Sequence, residues 1–388
     1  WVTMRRLLFE PEHEDFRASV RGFLSAEVVP EYGEWERRGI IPREAFLAAG
    51  AQGLLCPQVP EELGGPGVAD LRFNAVLAEE IYLLGLSGYG SAITVQNDVC
   101  LPYFLHFADA EQQRRWLPGL VSGETIAAIA MTEPGTGSDL AAIATSAVRD
   151  GEEYVVDGSK TFITNGINAD LVIVAARTER GEPRRGLTLL VVERGMEGFE
   201  RGRNLEKIGM HSQDTAELYF DGVRVPAANR LGVEGDGFGQ LTGNLAQERI
   251  SIAVSAVAAA RAALAAALDY TRERRAFGKP IADFQSARFA LAEAWAEIAV
   301  TQSFVDGCVL ALAAGQLDAV DAAVAKLRAT ELQGRVVDSC LQLHGGYGYM
   351  LEYPIARAYA DARVSRIYGG ANEIMKEIIG RSLVGGAR

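Results

Sequence analysis

The sequence predicts a mostly helical α+β protein: an N-terminal helical domain, a central antiparallel β-barrel or sandwich domain, and a C-terminal helical bundle. Three observations support this order. Apolar residues recur at helical spacing in the first and last thirds of the chain, and the middle third carries short β-branched runs separated by turn signals. The last third also contains helix patterns long enough to form a bundle. We place the domains at residues 1–124, 125–230 and 231–388.

The N-terminal domain shows helix-start and helix-stop signals. Pro11 suits a first helical turn, and Pro30 is expected to end that helix. Asp70 can cap a second helix. Asp109 begins a capping box, and Pro118 is expected to end the short helix that follows it. We identify no catalytic residue in this domain.

The central domain begins near Thr125 and ends near Pro226. Its β-branched segments are separated by Asp-Gly pairs at 150, 157 and 221, which are typical of tight turns. No segment of helical length lies between them, so the strands are expected to be antiparallel.

The C-terminal domain contains three long helix patterns, at about 244–275, 282–314 and 318–343. The segment HGGYGY at 344–349 breaks the third of them. A shorter helix is predicted from Pro354, and a last one from about Asn372 to Leu383.

Composition restricts the class of function. The 388 residues carry a net charge of −13 with no Lys/Arg-rich block, which argues against nucleic acid as a partner. The four cysteines form no CxxC pair, which favours a reduced, cytoplasmic setting, and the four histidines show no metal-ligand spacing. Uncharged apolar segments fall short of the roughly 20 residues that cross a bilayer, so no membrane span is expected.

A long Ala/Leu/Ile/Val-rich segment at 240–274 carries one conspicuous carboxylate, Glu248, where its uncharged run begins. One interpretation is a glutamate at a helix start, because Asn244 and Gln247 have capping-box spacing. The other is a buried general base, because burial raises the pKa of a carboxyl group toward the pH at which it can accept a proton from carbon. The segment alone leaves both interpretations open.

Two segments of the β domain could contact a flat polar ligand. MTEPGTGSDL, residues 131–140, offers backbone N–H groups and hydroxyls in one loop, although a plain Gly-rich turn would look the same. KTFITNG, residues 160–166, places Phe162 and Thr164 on one face of a strand, which packing alone could also explain. Neither segment is a Walker loop or a GxGxxG before a helix, so a nicotinamide-binding doubly wound sheet is disfavoured.

The combination of motifs resembles the acyl-CoA dehydrogenases. MTEPGTGSDL, KTFITNG, RRAFGKPIADFQ at 274–285, QLHGGYGY at 342–349 and RIYGGANEIMKEIIGR at 366–381 occur in that family's order, and the resemblance covers nearly the whole chain. It implies a helical, β and four-helix-bundle domain order, FAD as cofactor and an acyl-CoA thioester as substrate.

The resemblance also implies which residues bind FAD. The segments at 274–285 and 342–349 would serve the cofactor of a neighbouring subunit, and Ala371 stands where threonine is usual. The implied cofactor residues are Met131, Thr132, Gly137, Ser138, Phe162, Thr164, Arg274, Phe277, Gln285, Gln342, Leu343, Gly345, Gly346, Asn372 and Glu373.

The position of the catalytic base differs from that of many relatives. Where they carry a glutamate in YEGT, this chain has Gly369 in YGGA. Long-chain and isovaleryl-type members carry the base in a segment resembling LPQER, which is LAQER here and makes Glu248 the implied base. Substrate contacts are then implied for Ser138, Arg249, Gly369 and Gly370, with the Gly369 N–H next to the thioester carbonyl.

The implied reaction removes the α-proton at Glu248 and passes a hydride from the β-carbon to flavin N5, giving a trans-2-enoyl thioester. The implied partners are an electron-transferring flavoprotein and further copies of the chain in a homotetramer, a dimer of dimers. Three alternatives stay open: an oxidase, an enzyme acting on carrier-bound acyl chains, and a non-catalytic subunit.

Overall fold

A computed structural model describes residues 6–179 and 185–385. The N-terminal helices are α1 Pro11–Phe23, α2 Val29–Arg38, α3 Arg43–Ala51, α4 Arg72–Leu83, α5 Ser87–Thr94, α6 Leu101–Phe107 and α7 Ala110–Ser122. The N-cap of α4 is Leu71, not the expected Asp70, although Asp70 Oδ1 accepts from the backbone N–H of Arg72, the first helical residue, at 2.9 Å.

Two prolines that were expected to end helices do not. A π-helical turn, Leu24–Val28, joins α1 to α2, and Pro30 lies in the first turn of α2, where its missing N–H costs no hydrogen bond. Pro118 lies inside α7, which continues to Ser122 because its apolar face is buried around Trp116. Packing of that face outweighs the local penalty of the proline.

The central domain is one twisted sheet whose strand order is β6-β7-β3-β2-β4-β5-β8. Its pairs are antiparallel except that β1 pairs with β4 in parallel and β2 meets β4 at one parallel bridge. The strands are β1 Ala127–Ala130, β2 Ser146–Asp150, β3 Glu153–Thr164, β4 Leu171–Arg177, β5 Leu187–Glu193, β6 Phe199–Asn204, β7 Thr215–Pro226 and β8 Arg230–Leu231.

The C-terminal domain packs two long helices, α9 and α10, and two shorter ones, α11 and α12, around the longest helix, α8. A two-stranded hairpin of β9 Arg275–Ala276 and β10 Lys279–Pro280 follows α8. The helices are α8 Gly237–Glu273, α9 Gln285–Ala313, α10 Ala319–His344, α11 Pro354–Ala362 and α12 Asn372–Leu383. Small side chains of α8 are fully buried against α4, α9 and α10, which allows these helices to approach closely.

The start of α8 decides between the two interpretations of Glu248. The helix begins at Gly237, so Glu248 lies about three turns inside it and is not a capping residue. Gln247 donates to the Asp98 carbonyl at 3.3 Å, away from the helix start. The helix-start interpretation is therefore wrong.

Helices α8 and α9 are long and apolar enough, by length and composition, to cross a membrane, which the sequence-based estimate did not anticipate. In α8, 67% of the apolar window is buried inside the protein, and in α9 the share is 22%. Because the core helix of a protein without any span passes the same test, these two helices are weak evidence for a membrane span.

Candidate active site

Glu248 is held on α8 with 5% of its surface exposed. The hydroxyl of Tyr103, on α6, donates to Glu248 Oε1 at 3.4 Å. Tyr103 belongs to the N-terminal domain, in which the sequence indicated no functional residue. A lone tyrosine in an apolar helix gives no sequence signal, because only the packing of α6 against α8 brings it to the carboxylate.

The surroundings of Glu248 suit a proton acceptor. Burial raises the pKa of Glu248 to about 7, while the Tyr103 hydrogen bond and the neighbouring Arg249 act in the opposite direction. A carboxyl group with this pKa is poised to exchange a proton near neutral pH. Arg249 is also buried, and its Nε has no hydrogen-bond partner within the described residues.

The turn at Gly369 and Gly370 lies against α8 close to Glu248. Both glycines have positive φ, +63° and +90°, which side chains rarely adopt. A Cβ on Gly369 would lie 2.2 Å from Cδ1 of Ile252, one helical turn beyond Glu248. Gly369 thus packs against α8 one helical turn beyond Glu248, and the joint role of the two residues in one site stays a prediction.

The two predicted flavin segments of the β domain lie side by side. The Thr161 N–H donates to the Thr132 carbonyl at 2.9 Å, and the buried Lys160 donates to the Met131 carbonyl at 3.1 Å and to Glu133 at 2.8 Å. Lys160 is the first residue of the KTFITNG motif, but the sequence alone indicated no role for it. Its buried ion pair joins the 131–140 loop to β3.

These segments fit a flat, partly polar ring. Phe162 lies at a β-bulge with φ +61° and is 68% exposed, although a phenylalanine in a strand is usually packed inside. In the facing loop Ser138 is exposed, and a Cβ on Gly137 would meet only Thr132 Cγ2, at 3.9 Å. Exposed aromatic surface beside an open, glycine-containing loop is what an isoalloxazine needs for contact.

The segments at 274–285 and 342–349 also lie together, since the Arg274 guanidinium stacks over the Tyr347 ring at 5.6 Å. Phe277 has φ +49° and is 97% exposed, and Gln285, Gln342, Gly345 and Gly346 are exposed as well. Among residues 6–179 and 185–385, no hydrogen bond, ion pair or ring contact joins these two segments to the 131–140 loop. Their predicted contact with a neighbouring subunit's FAD stays a prediction.

Asn372 and Glu373 begin α12. Glu373 is exposed, whereas Asn372 is buried, with its Oδ1 accepting from Lys326 at 2.9 Å and its Nδ2 donating to Thr330 at 3.1 Å. The Asn372 side chain thus has partners within its own domain, and its contact with the dinucleotide stays a prediction.

For Gly85, Gly88 and Gly90 the sequence leaves two interpretations open: small residues that deepen an acyl pocket, or turn glycines. Gly85 has φ +72° and ends α4 in a turn, whereas Gly88 and Gly90 lie within α5. A Cβ on Gly88 would meet Ser212 Oγ at 2.1 Å, and one on Gly90 would meet Tyr82 at 2.6 Å. These two glycines permit close packing and leave no space for a ligand.

A cavity of about 20 Å³ lies beside α8 instead. Its wall comes from α4, the turn before α6, α8 and α9. The polar members of that wall are Asn74, Asp98, Gln247 and Ser251, and Ile250, Val254, Val309 and Leu312 are among the apolar ones.

Comparison with known proteins assigns the family. Family models match along the chain: the acyl-CoA dehydrogenase N-terminal domain over residues 10–124, the middle domain over 128–223 and the C-terminal domain over 235–384. A long-chain specific acyl-CoA dehydrogenase from Sus scrofa is 46% identical over 98% of this chain and 88% of its own length.

Solved structures agree with this assignment. An acyl-CoA dehydrogenase from Geobacillus kaustophilus superposes with a TM-score of 0.96 and 48% identity, covering 98% of this chain and 100% of that one. A chain from a structure described as the electron transferring flavoprotein of Acidaminococcus fermentans has a TM-score of 0.93 and 32% identity, covering 97% and 98%.

Fold and site together define a flavin-dependent oxidoreductase of acyl thioesters. The chain belongs to the acyl-CoA dehydrogenase family, and it is an enzyme of FAD-dependent acyl-CoA dehydrogenation.

Proposed function

We propose that Glu248 is the base that removes the α-proton of the acyl-CoA. The observation that carries this is the buried carboxylate on α8, with its raised pKa, one helical turn before Ile252, which contacts the Gly369 turn. No carboxylate occupies position 369, so the proton acceptor must come from another wall of the site. FAD supplies the hydride acceptor for the β-carbon when it is bound.

The other residues of the chain bind and orient. The Gly369 N–H donates to the thioester carbonyl and stabilises the negative charge that develops there as the α-proton leaves. Arg249 and Ser138 contact the substrate. FAD is held by the implied cofactor residues of the 131–140 loop, of β3, of the segments at 274–285 and 342–349, and of the start of α12. Tyr103 fixes the orientation of the Glu248 carboxylate through its hydroxyl.

The experiment that tests the base is Glu248→Gln. This variant should bind FAD like the wild type, because Glu248 is not among the implied cofactor residues. It should not bleach the flavin when dodecanoyl-CoA is added without oxygen. Normal bleaching would show that another group removes the proton.

The substrate we propose is a straight long-chain acyl-CoA. The support is the 46% identity to a relative named for long chains and the LAQER position of the base. Rates of anaerobic bleaching should be higher with dodecanoyl-CoA than with butyryl-CoA or isovaleryl-CoA. A preference for either short substrate would contradict this chain-length class.

We further propose that an electron-transferring flavoprotein accepts the electrons and that the enzyme is a homotetramer. The structural relative from Acidaminococcus fermentans supports the first, and the exposed Phe277, Tyr349 and Leu351 near the two exposed cofactor segments support the second. Fast reoxidation by that flavoprotein without peroxide would separate this function from an oxidase. Light scattering of the FAD-loaded enzyme should give the mass of four chains.

A cytoplasmic setting is part of the proposal. Its support is that the four cysteines, Cys56, Cys100, Cys308 and Cys340, are buried and form no disulfide with one another. Fractionation of cells that express the full-length protein is the direct measurement.

A further inference from the structure

Lys326 is a lysine on α10 whose side chain is completely buried. Its Nζ donates to the Gly370 carbonyl at 2.8 Å and to Asn372 Oδ1 at 2.9 Å. Both acceptors are neutral carbonyl oxygens. Burying an ammonium group is costly, so a lysine in such a place calls for an explanation beyond packing.

The first acceptor belongs to the turn that packs against Ile252, one helical turn beyond Glu248 on α8. Gly369 and Gly370 lack side chains that could anchor them, and both lie in the left-handed region. Lys326 bridges the Gly370 carbonyl and the first residue of α12, so it fixes the turn at the end that Ile252 does not contact. The turn is thereby held between α8 and α10.

A second side chain of α10, Thr330, contacts Asn372 but does not bond to the Lys326 ammonium group. Thr330, one turn later on α10, donates to the Lys326 carbonyl at 2.8 Å and accepts from Asn372 Nδ2 at 3.1 Å. Burial lowers the pKa of Lys326 to about 8; Arg249 acts in the same direction and Glu373 opposes it.

We infer that Lys326 is a positioning residue of the reaction: it holds the Gly369–Gly370 turn so that the Gly369 N–H points at the thioester carbonyl. This inference rests on the proposed function, in which that N–H stabilises the charge on the carbonyl oxygen. A donor displaced by a fraction of an ångström from an oxyanion loses much of its effect. Lys326 itself touches neither substrate nor cofactor in this role.

The test compares Lys326→Met and Lys326→Gln with Thr330→Val. Methionine keeps the length of the side chain without a donor, and glutamine restores a neutral donor. Thr330→Val alters the same network but leaves the lysine bond to Gly370 intact. The probe is trans-2-dodecenoyl-CoA bound to FAD-loaded enzyme, with its carbonyl stretching frequency measured by isotope-edited infrared spectroscopy.

The wild type should lower the carbonyl frequency relative to free thioester, and Lys326→Met should return it toward the free value. With dodecanoyl-CoA, kcat of Lys326→Met per bound FAD should fall about 10- to 100-fold with KM changed far less. Lys326→Gln should recover part of both effects, and Thr330→Val should keep the wild-type frequency.

A wild-type frequency in Lys326→Met, or in Lys326→Leu if the methionine variant does not fold, would overturn the inference even if stability falls. An unshifted carbonyl frequency in the wild type would show that the Gly369 N–H does not donate to the thioester carbonyl. That result would overturn the inference as well. Bleaching by Glu248→Gln tests the base separately, so failure of the base and failure of Lys326 are distinguishable.

Discussion

Gly369 lies so close to Ile252 that a Cβ on the glycine would come within 2.2 Å of the isoleucine Cδ1. The contact joins the turn before α12 to the helix that carries Glu248. The contact also explains why a side chain does not fit at position 369 unless Ile252 moves. A carboxylate at 369, as in YEGT relatives, requires different packing at this point.

Gly369→Ala is expected to destabilise the enzyme and slow flavin bleaching. The alanine must adopt φ +63° and displace Ile252, and each of these effects costs roughly 1 to 3 kcal/mol. Adding Ile252→Ala should recover the stability that is lost to the steric clash, but not the stability that is lost to the positive φ. Urea unfolding of the wild type, both single variants and the double variant measures the coupling. Strictly additive effects would mean that the two residues do not meet.

Gly369→Glu tests whether the base can move to the other wall. Alone it should lose most activity for the same steric reason, although it supplies a carboxylate. In a Glu248→Gln, Ile252→Ala background, it should restore measurable bleaching by dodecanoyl-CoA. If that triple variant binds acyl-CoA yet never bleaches, the two walls are not interchangeable.

Tyr103→Phe should raise the pKa of Glu248. The hydroxyl stabilises the carboxylate form, and one such bond is worth about 0.5 to 1.5 kcal/mol, which corresponds to about half to one pH unit. The acidic limb of the kcat/KM profile should move to higher pH by that amount. Tyr89→Phe is the matched control, because the buried Tyr89 hydroxyl has no hydrogen-bond partner among the described residues. Identical profiles for both variants would refute the role of Tyr103.

Glu248→Gln should make the enzyme more stable at alkaline pH. Folding raises the pKa of Glu248 from 4.5 to about 7, so the unfolded chain releases its proton first as pH rises. The carboxylate therefore destabilises the wild type progressively between pH 4.5 and 7, by up to about 3 kcal/mol. Melting temperatures of the two proteins should converge near pH 4 and separate at pH 8. A constant difference would contradict the raised pKa.

Phe277→Ala should weaken FAD binding about 10-fold. Phe277 is 97% exposed in the single chain and meets Phe284 edge to face at 6.2 Å, so most of its surface is open to a ligand or a second chain. Leu383→Ala, which removes an 81% exposed apolar side chain outside the cofactor segments, is the control. FAD titration of the apoprotein measures both. Equal FAD affinities of the Phe277→Ala and Leu383→Ala variants would show that Phe277 does not contribute to the cofactor site.

Much of the helical framework follows from local signals. The last helix was predicted at its observed bounds, and the breaks at HGGYGY and after the long Ala-rich segment lie where glycine and proline interrupt the pattern. Pro30 and Pro118 were misread because burial of neighbouring apolar residues can carry a helix past a proline. The parallel pairing of β1 with β4 was missed because pairing partners are distant in sequence.

The sequence by itself determined the family, the three-domain order and the residue type at each motif position, because these are local patterns whose order along the chain is specific. Only the tertiary structure decided that Glu248 lies deep inside α8 and is buried, since helix starts are poorly marked in a glycine-rich approach. Only packing brings Tyr103 and the Gly369 turn to that helix and anchors the turn on Lys326, because each contact joins residues more than 40 positions apart.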